Sequence, residues 1–121
     1  MQRFDVYLLE LQWRNCLDRR PAVVLSPQWY LDERLDDDVV VGPASSARSL
    51  FDERCHFLIR EADAEFVDTG LKRESYIAVD YVTHVERTQL RRCIGHLGEG
   101  MSARLCQFAS GFFQFACGSG R

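Results

Sequence analysis

Arg20-Pro21-Ala22-Val23-Val24-Leu25-Ser26 sets an arginine and a proline directly before an apolar run. Proline fixes its own φ and biases the preceding residue toward extended geometry, so Arg20 leaves the chain in a defined direction. The run Pro21–Leu25 predicts a buried strand. A planar guanidinium at the mouth of a strand is suited to a phosphate or a carboxylate. The alternative is a solvated arginine at an ordinary loop-to-strand junction.

Length and composition indicate one domain. The chain has 121 residues, of which 46% are hydrophobic, which suffices for one compact core but not for two ordinary domains. No apolar stretch approaches the roughly 20 residues that span a bilayer. The segment Met1–Leu11 carries Arg3, Asp5 and Glu10 where a signal peptide needs an apolar core. We therefore expect a cytoplasmic protein without a membrane partner.

The charge balance constrains the ligands. Fifteen basic and 18 acidic side chains give a net charge of −3, which argues against a protein coated in nucleic acid but allows a local basic cleft. Lys72 is the only lysine. Clustered arginines can bind phosphates through two donors each, although a codon bias toward arginine would give the same composition. The clusters are Arg14, Arg19 and Arg20, and Arg87, Arg91 and Arg92.

The five cysteines are odd in number, scattered, and contain no CxxC pair, so a secreted disulfide framework is not expected. Cys55 lies beside His56, and Cys93 lies three residues before His96, which is a conceivable zinc set. A second compact ligand pair of the usual kind is missing. The sequence therefore predicts no metal site and buried or half-buried thiols.

Short β-forming segments and one terminal amphipathic pattern predict the secondary structure. A long first loop is expected over Gln12–Arg19 and a helix start at Ser26-Pro27. The predicted strands are Asp5–Leu11, Pro21–Leu25, Val39–Val41, Cys55–Arg60, Ser75–Tyr81 and Arg92–Leu97. Met101, Leu105, Phe108 and Phe112 recur at helical spacing, which predicts a C-terminal helix over about 101–113 and a short tail over 114–121. The fold class is mainly β with a C-terminal helix, as a small bent antiparallel barrel or two-layer β fold.

Several segments, taken in order, resemble one toxin family. They are Phe4-Asp5-Val6-Tyr7, RPAVVLS from Arg20, VVVGPASS from Val39, GLKRESYIAVD from Gly70 and RRCIGHL from Arg91. The chain from about Asp5 to Leu105 resembles the MazF/PemK toxins of bacterial type II toxin–antitoxin systems. The resemblance implies one SH3-like toxin barrel over residues 1–121, which dimerises, cuts single-stranded RNA without metal or cofactor, and is neutralised by a cognate antitoxin protein.

The resemblance also implies a site. Arg20 and Ser45 correspond to the catalytic positions, and the expected substrate-binding residues are Arg19, Ser46, Asp80 and His84. The implied chemistry is attack of a ribose 2′-OH on the adjacent phosphorus, which leaves a cyclic phosphate and a free 5′-OH. A guanidinium holds its proton at neutral pH, so Arg20 is expected to stabilise charge rather than act as a base. The base is unassigned: His84 is one candidate, and the alternative is that His84 is an ordinary surface histidine without a catalytic role.

Two other hypotheses are open. The opening Phe4-Asp5-Val6-Tyr7 also resembles the CcdB toxins, which share the fold and bind DNA gyrase without nuclease activity. A catalytically silent interaction domain is the third hypothesis, because Phe4, Ala78 and Tyr81 stand where the MazF/PemK pattern has other residue types. The aromatic terminal segment with Phe112, Phe113 and Phe115 is expected to form core or dimer contacts, in line with a homodimer.

Overall fold

A computed structural model of the protein describes residues 1–13 and 16–118, with the backbone alone at residues 11–13, 16 and 115–118. Within these residues the chain forms seven strands and two α-helices. The strands are β1 (Asp5–Trp13), β2 (Cys16–Val24), β3 (Val39–Ser45), β4 (His56–Ile59), β5 (Ser75–Ala78), β6 (Thr83–Val85) and β7 (Leu90–His96). The helices are α1 (Gln28–Glu33), between β2 and β3, and α2 (Glu99–Gly118), after β7.

The strands form one antiparallel sheet with the order β4-β5-β3-β2-β1-β7, and β6 pairs with β3 outside this path. The predicted fold class, mainly β with one C-terminal helix, is confirmed. The described part of the sheet is not closed into a barrel, because its end strands β4 and β7 do not pair with each other. The predicted barrel is therefore corrected to an open sheet, in which β3 pairs first with β2 and then, at its end, with β5.

The last three residues of the central strand β2 are buried on both faces of the sheet. Ala22, Val23 and Val24 are each at most 1% exposed. Val23 packs with Val6 in a cluster that includes side chains of α2, whereas Ala22 and Val24 belong to a second cluster that includes Leu31 of α1. Successive side chains of a strand point to opposite faces. A strand covered on both sides therefore needs a continuous apolar run rather than an alternating one.

The first hairpin is longer than predicted. β1 continues to Trp13 and β2 begins at Cys16, so the prediction of a loop over Gln12–Arg19 is wrong for most of its length. Glu10 lies opposite Arg19 on the two strands, and their side chains form an ion pair of 3.3 Å. Polar residues on this hairpin lack the apolar pattern by which strands are recognised. Residues 14 and 15 of the predicted loop lie outside the described residues.

The other elements follow the prediction with different bounds. α1 lies where a helix start was predicted, β3 extends to Ser45, and β6 was not predicted. The predicted apolar stripe of α2 is confirmed, because Met101 and Leu105 are buried and Phe108 and Phe112 pack against the same core. α2 runs beyond 101–113, so residues 114–118 of the predicted tail are helical, and 119–121 lie outside the described residues. Neither described helix is both long and apolar enough to cross a membrane.

The segment between β4 and β5 is fixed to the start of α2. The Glu65 carboxylate accepts hydrogen bonds from the backbone N–H groups of Gly100, at 3.1 Å, and Met101, at 2.7 Å. The first turn of a helix leaves such N–H groups without intrahelical partners, and a negative charge there interacts favourably with the helix dipole. Arg104 of α2 donates a further hydrogen bond to Asp63 in the same segment. The helix therefore holds this segment in place.

Candidate functional site

Strands β2 and β3 separate at two prolines. β3 pairs with β2 as far as Pro43, and its last residues pair with β5 instead. Pro21 is the next residue of β2 beyond the last pair, and a proline has no N–H with which to continue a ladder. If the register continued, Arg20 would lie opposite Ser45. The sheet therefore opens at the level of the two predicted catalytic residues.

This opening is a cleft of about 630 Å³. Its walls come from β1 and β2, from the end of β3, and from the residues before β5 together with β7. The cleft brings together four of the predicted site residues, Arg19, Arg20, Ser45 and Ser46. The other polar side chains of its lining are Asp18, Lys72, Arg73 and Ser75.

The cleft is cationic although the whole chain is acidic. Four of its lining residues carry a positive charge and one, Asp18, carries a negative charge. Sequence reasoning did not assign Lys72 and Arg73 to the site, because they come from a segment far from Arg20 in the chain. Gly70 brings this segment close to β7: it has a φ of 73°, in the left-handed region, and a Cβ there would collide with the carbonyl oxygen of Ile94.

Arg20 is held by a neighbouring carboxylate. Its Nε donates a hydrogen bond of 2.7 Å to Oδ2 of Asp18. Asp18 and Arg20 are two residues apart on β2, so their side chains leave the same face of the strand. The Arg20 side chain is 61% exposed. Because Nε is engaged, the two terminal amino groups of the guanidinium are the donors that can meet a ligand in the cleft.

Ser45, at the end of β3, offers a hydroxyl to the cleft. Its Oγ accepts a hydrogen bond of 3.1 Å from the backbone N–H of Ala47. A serine hydroxyl that accepts one hydrogen bond still has its own proton to donate. Ser45 is half-buried, and the bond to Ala47 fixes the position of its oxygen. The Ser45 hydroxyl is thus a neutral donor in a cleft that also contains several cationic donors.

Asp80 and His84, the other two predicted substrate-binding residues, do not line the cleft. Asp80 lies in a 3₁₀ turn after β5, where its Oδ1 is 3.1 Å from Nε2 of His56. His84 lies on β6, and its Nδ1 is 2.8 Å from Oδ2 of Asp38. Both residues are exposed, and each is engaged with a partner that also lies outside the cleft lining.

His56, Asp80 and Cys55 are the one group within the described residues whose ligand atoms are close enough for a metal ion. The Nδ1 atom of His56 accepts the backbone N–H of Asp52 at 2.9 Å, so Nε2 carries the ring proton and donates to Asp80. Burial, together with the negative charges of Asp80 and Asp52, raises the pKa of the Cys55 thiol. A neutral thiol and a histidine whose two nitrogens are engaged form a poor metal-binding set.

The matching family is that of the PemK-like, MazF-like toxins of type II toxin–antitoxin systems, whose model covers residues 2–108. The chain belongs to this family. A comparison with curated proteins gave no match. The resemblance inferred from the sequence segments is thereby confirmed over nearly the whole chain.

Solved structures with a similar fold include MazF toxins. The Mycobacterium tuberculosis toxin MazF-mt6 is 16% identical with a TM-score of 0.70, covering 91% of this chain and 96% of that one. An endoribonuclease in complex with its cognate antitoxin from a mycobacterial species is 13% identical with a TM-score of 0.69, covering 93% and 92%. The MazE–MazF complex from Deinococcus radiodurans is 16% identical with a TM-score of 0.68, covering 98% and 96%. At these identities the likeness establishes the fold.

Proposed function

We propose that this toxin is a metal-independent endoribonuclease that cleaves single-stranded RNA in the cytoplasm. The observation that carries the proposal is the meeting of Arg20 and Ser45 in a cationic cleft within a chain whose net charge is −3. Proteins that bind single-stranded nucleic acid track its backbone with positive side chains. Two of the similar structures are endoribonucleases. An acidic toxin with its cations gathered around one arginine and one hydroxyl fits this chemistry.

Arg20 binds the phosphate that is cleaved. Its terminal amino groups donate to two phosphate oxygens while Nε remains on Asp18. Negative charge grows on these oxygens as the 2′-oxygen attacks phosphorus, and fixed donors stabilise that charge in the transition state. Ser45 donates its hydroxyl to the same phosphate or to the 2′-OH. Lys72 and Arg73 bind neighbouring phosphates and hold the strand in the cleft.

The donor set of the cleft favours catalysis without a metal. Its described lining contains one carboxylate and neither histidine nor cysteine. Mg²⁺ sites in enzymes use carboxylates together with substrate phosphates, and Zn²⁺ sites use histidine, cysteine and carboxylate ligands. The guanidinium and ammonium groups supply instead the positive charge that a metal would otherwise bring.

The proposal includes two protein partners. A cognate antitoxin is the first: one similar structure is an endoribonuclease in complex with its cognate antitoxin, and two others are MazE–MazF complexes. A second copy of the chain is the other. Phe113 of α2 is 49% exposed and lies beside the half-buried Phe112, with ring centroids 5.3 Å apart. Aromatic side chains left at the surface of a small domain are typical of contacts between subunits.

The test is incubation of the purified toxin with a defined single-stranded RNA in excess EDTA. We expect fragments that end in a cyclic phosphate and begin with a 5′-OH, and a rate about 1,000-fold lower for Arg20→Ala. The matched control is Arg34→Ala, which removes an exposed arginine ion-paired to Asp37 outside the cleft. A folded Arg20→Ala protein that cuts at the parental rate would reject the site. Growth inhibition without any RNA cleavage would instead support the gyrase-binding alternative.

A further inference from the structure

The proposed reaction lacks a group that accepts the proton of the 2′-OH. Arg20 and the other cations of the cleft hold their protons at neutral pH, and a serine hydroxyl is too weak a base. His84, the base candidate from the sequence, is bound to Asp38 and is not part of the cleft lining. Carboxylates are ionised at neutral pH and serve as general bases. Asp18 is the carboxylate among the described lining residues.

The geometry of Asp18 suits a base. Its Oδ2 accepts the hydrogen bond from Nε of Arg20, while Oδ1 accepts no hydrogen bond from the described residues. The side chain is 45% exposed, so a substrate can approach it. One oxygen of the carboxylate is therefore fixed on the arginine that binds phosphate, and the other is open. Because Asp18 is hydrogen-bonded to Arg20, it lies next to the nucleotide whose phosphate Arg20 binds.

We infer that Asp18 is the general base of the cleavage step, an inference that rests on the proposed endoribonuclease function. The proton of the 2′-OH moves to Oδ1 of Asp18 as the 2′-oxygen forms its bond to phosphorus. The bond from phosphorus to the 5′-oxygen breaks, and that oxygen takes a proton from water. Asp18 then returns its proton to solvent, so the enzyme is restored with a cyclic phosphate and a 5′-OH as products.

Asp18 lies among several positive charges, so the role of a general base must be separated from that of a simple counter-ion. The other charged residues of the cleft lining are Arg20 on the same strand, the adjacent Arg19, and Lys72 and Arg73 from the segment before β5. Arg19 is already paired with Glu10, on β1. A counter-ion for Arg20 would affect RNA binding and orientation, whereas a base affects the proton-transfer step. The two roles therefore predict different changes in binding, rate and pH dependence.

The test uses Asp18→Asn, because the amide oxygen still accepts from Nε of Arg20 but cannot take a proton. We expect the single-turnover rate to fall by about 100- to 10,000-fold. The Kd for an RNA with 2′-deoxyribose at the cleavage position should stay within about threefold of the parental value. The matched control is Asp37→Asn, since Asp37 is also paired with an arginine but lies outside the cleft.

The pH profile separates a base from an orienting residue. The parental rate should decline at acidic pH as the carboxylate is protonated, and Asp18→Asn should lose that acidic limb. A variant with a reduced rate but the parental acidic limb would show an orienting role and overturn the inference, as would a variant that cuts at the parental rate. If Arg20→Ala is inactive while Asp18→Asn is active, the endoribonuclease proposal stands and only the base is wrong. If the parental protein cuts no RNA, the function itself fails.

Discussion

Replacement of Glu65 should destabilise the protein through the start of α2, although Glu65 lies outside that helix in sequence. Its carboxylate accepts the N–H groups of Gly100 and Met101, at 3.1 and 2.7 Å. Loss of a helix N-cap costs about 0.5–2 kcal/mol, and a partly buried charge at a helix end contributes up to about 2 kcal/mol more. We therefore expect Glu65→Ala to lower the free energy of unfolding by about 2–3 kcal/mol. Glu65→Gln keeps an acceptor but loses the charge, so about half of that loss is expected.

Thermal unfolding followed by circular dichroism measures this effect. For a domain of this size 1 kcal/mol shifts Tm by about 4 °C, so Glu65→Ala should unfold about 8–12 °C below the parent. Glu33→Ala is the control, because Glu33 is an exposed residue of α1. Hydrogen exchange at Gly100 and Met101 should accelerate in Glu65→Ala. A parental Tm for both Glu65 variants would refute the assignment of the carboxylate as the cap of α2.

Four further outcomes are expected. Arg20→Lys should slow RNA cleavage about 100- to 1,000-fold, nearly as much as Arg20→Ala, in single-turnover measurements. Lysine keeps the charge, but its single ammonium group cannot bind Asp18 and two phosphate oxygens at the same time. Ser45→Ala should also cut slowly, whereas Ser45→Thr should keep or improve the parental rate because threonine restricts χ1 and keeps the hydroxyl; equal rates for all three proteins would exclude a role for the hydroxyl. Iodoacetamide should modify the exposed Cys93 before Cys55, and since the pKa of the Cys55 thiol is raised, its alkylation should need a higher pH than an ordinary thiol; mass spectrometry of timed samples reports the order. Light scattering at micromolar concentration should give twice the chain mass, and a monomer that still cuts RNA would contradict the dimer.

The strand and the arginine could be predicted from the sequence because their signals are local. Pro21 and the apolar run after it encode a buried strand, whichever strands pair with it. Ser45 was assigned from the resemblance to the toxin family, which rests on the order of several segments. The other members of the cleft depend on contacts between distant parts of the chain. Lys72 and Arg73 reach it because the segment at Gly70 packs against β7, and no periodicity in the sequence encodes that approach.

The differences between the expected and the observed surroundings of these residues have similar causes. Asp18 fell in a segment predicted as loop, where its relation to Arg20 could not be seen, and a strand was needed to place the two side chains on one face. Asp80 and His84 were assigned by resemblance alone. Their surroundings, His56 and Asp38, come from other elements and are fixed by tertiary packing. Residue type and sequence position do not reveal these contacts, and the substrate-binding role of Asp80 and His84 stays a prediction.

The order in which the cleft residues occur along the chain has a consequence for incomplete products of synthesis or proteolysis. Leu8 on β1 and Ile94 on β7 both line the cleft, and β7 pairs directly with β1. Pairing between strands so distant in sequence forms late in folding, because the intervening chain must first be ordered. A fragment that ends before β7 lacks both a wall of the cleft and one of the two strands that pair with β1. Such a fragment would contain Arg20 and Ser45 but not the complete cleft around them. A toxin truncated before β7 should therefore be harmless to the cell that makes it.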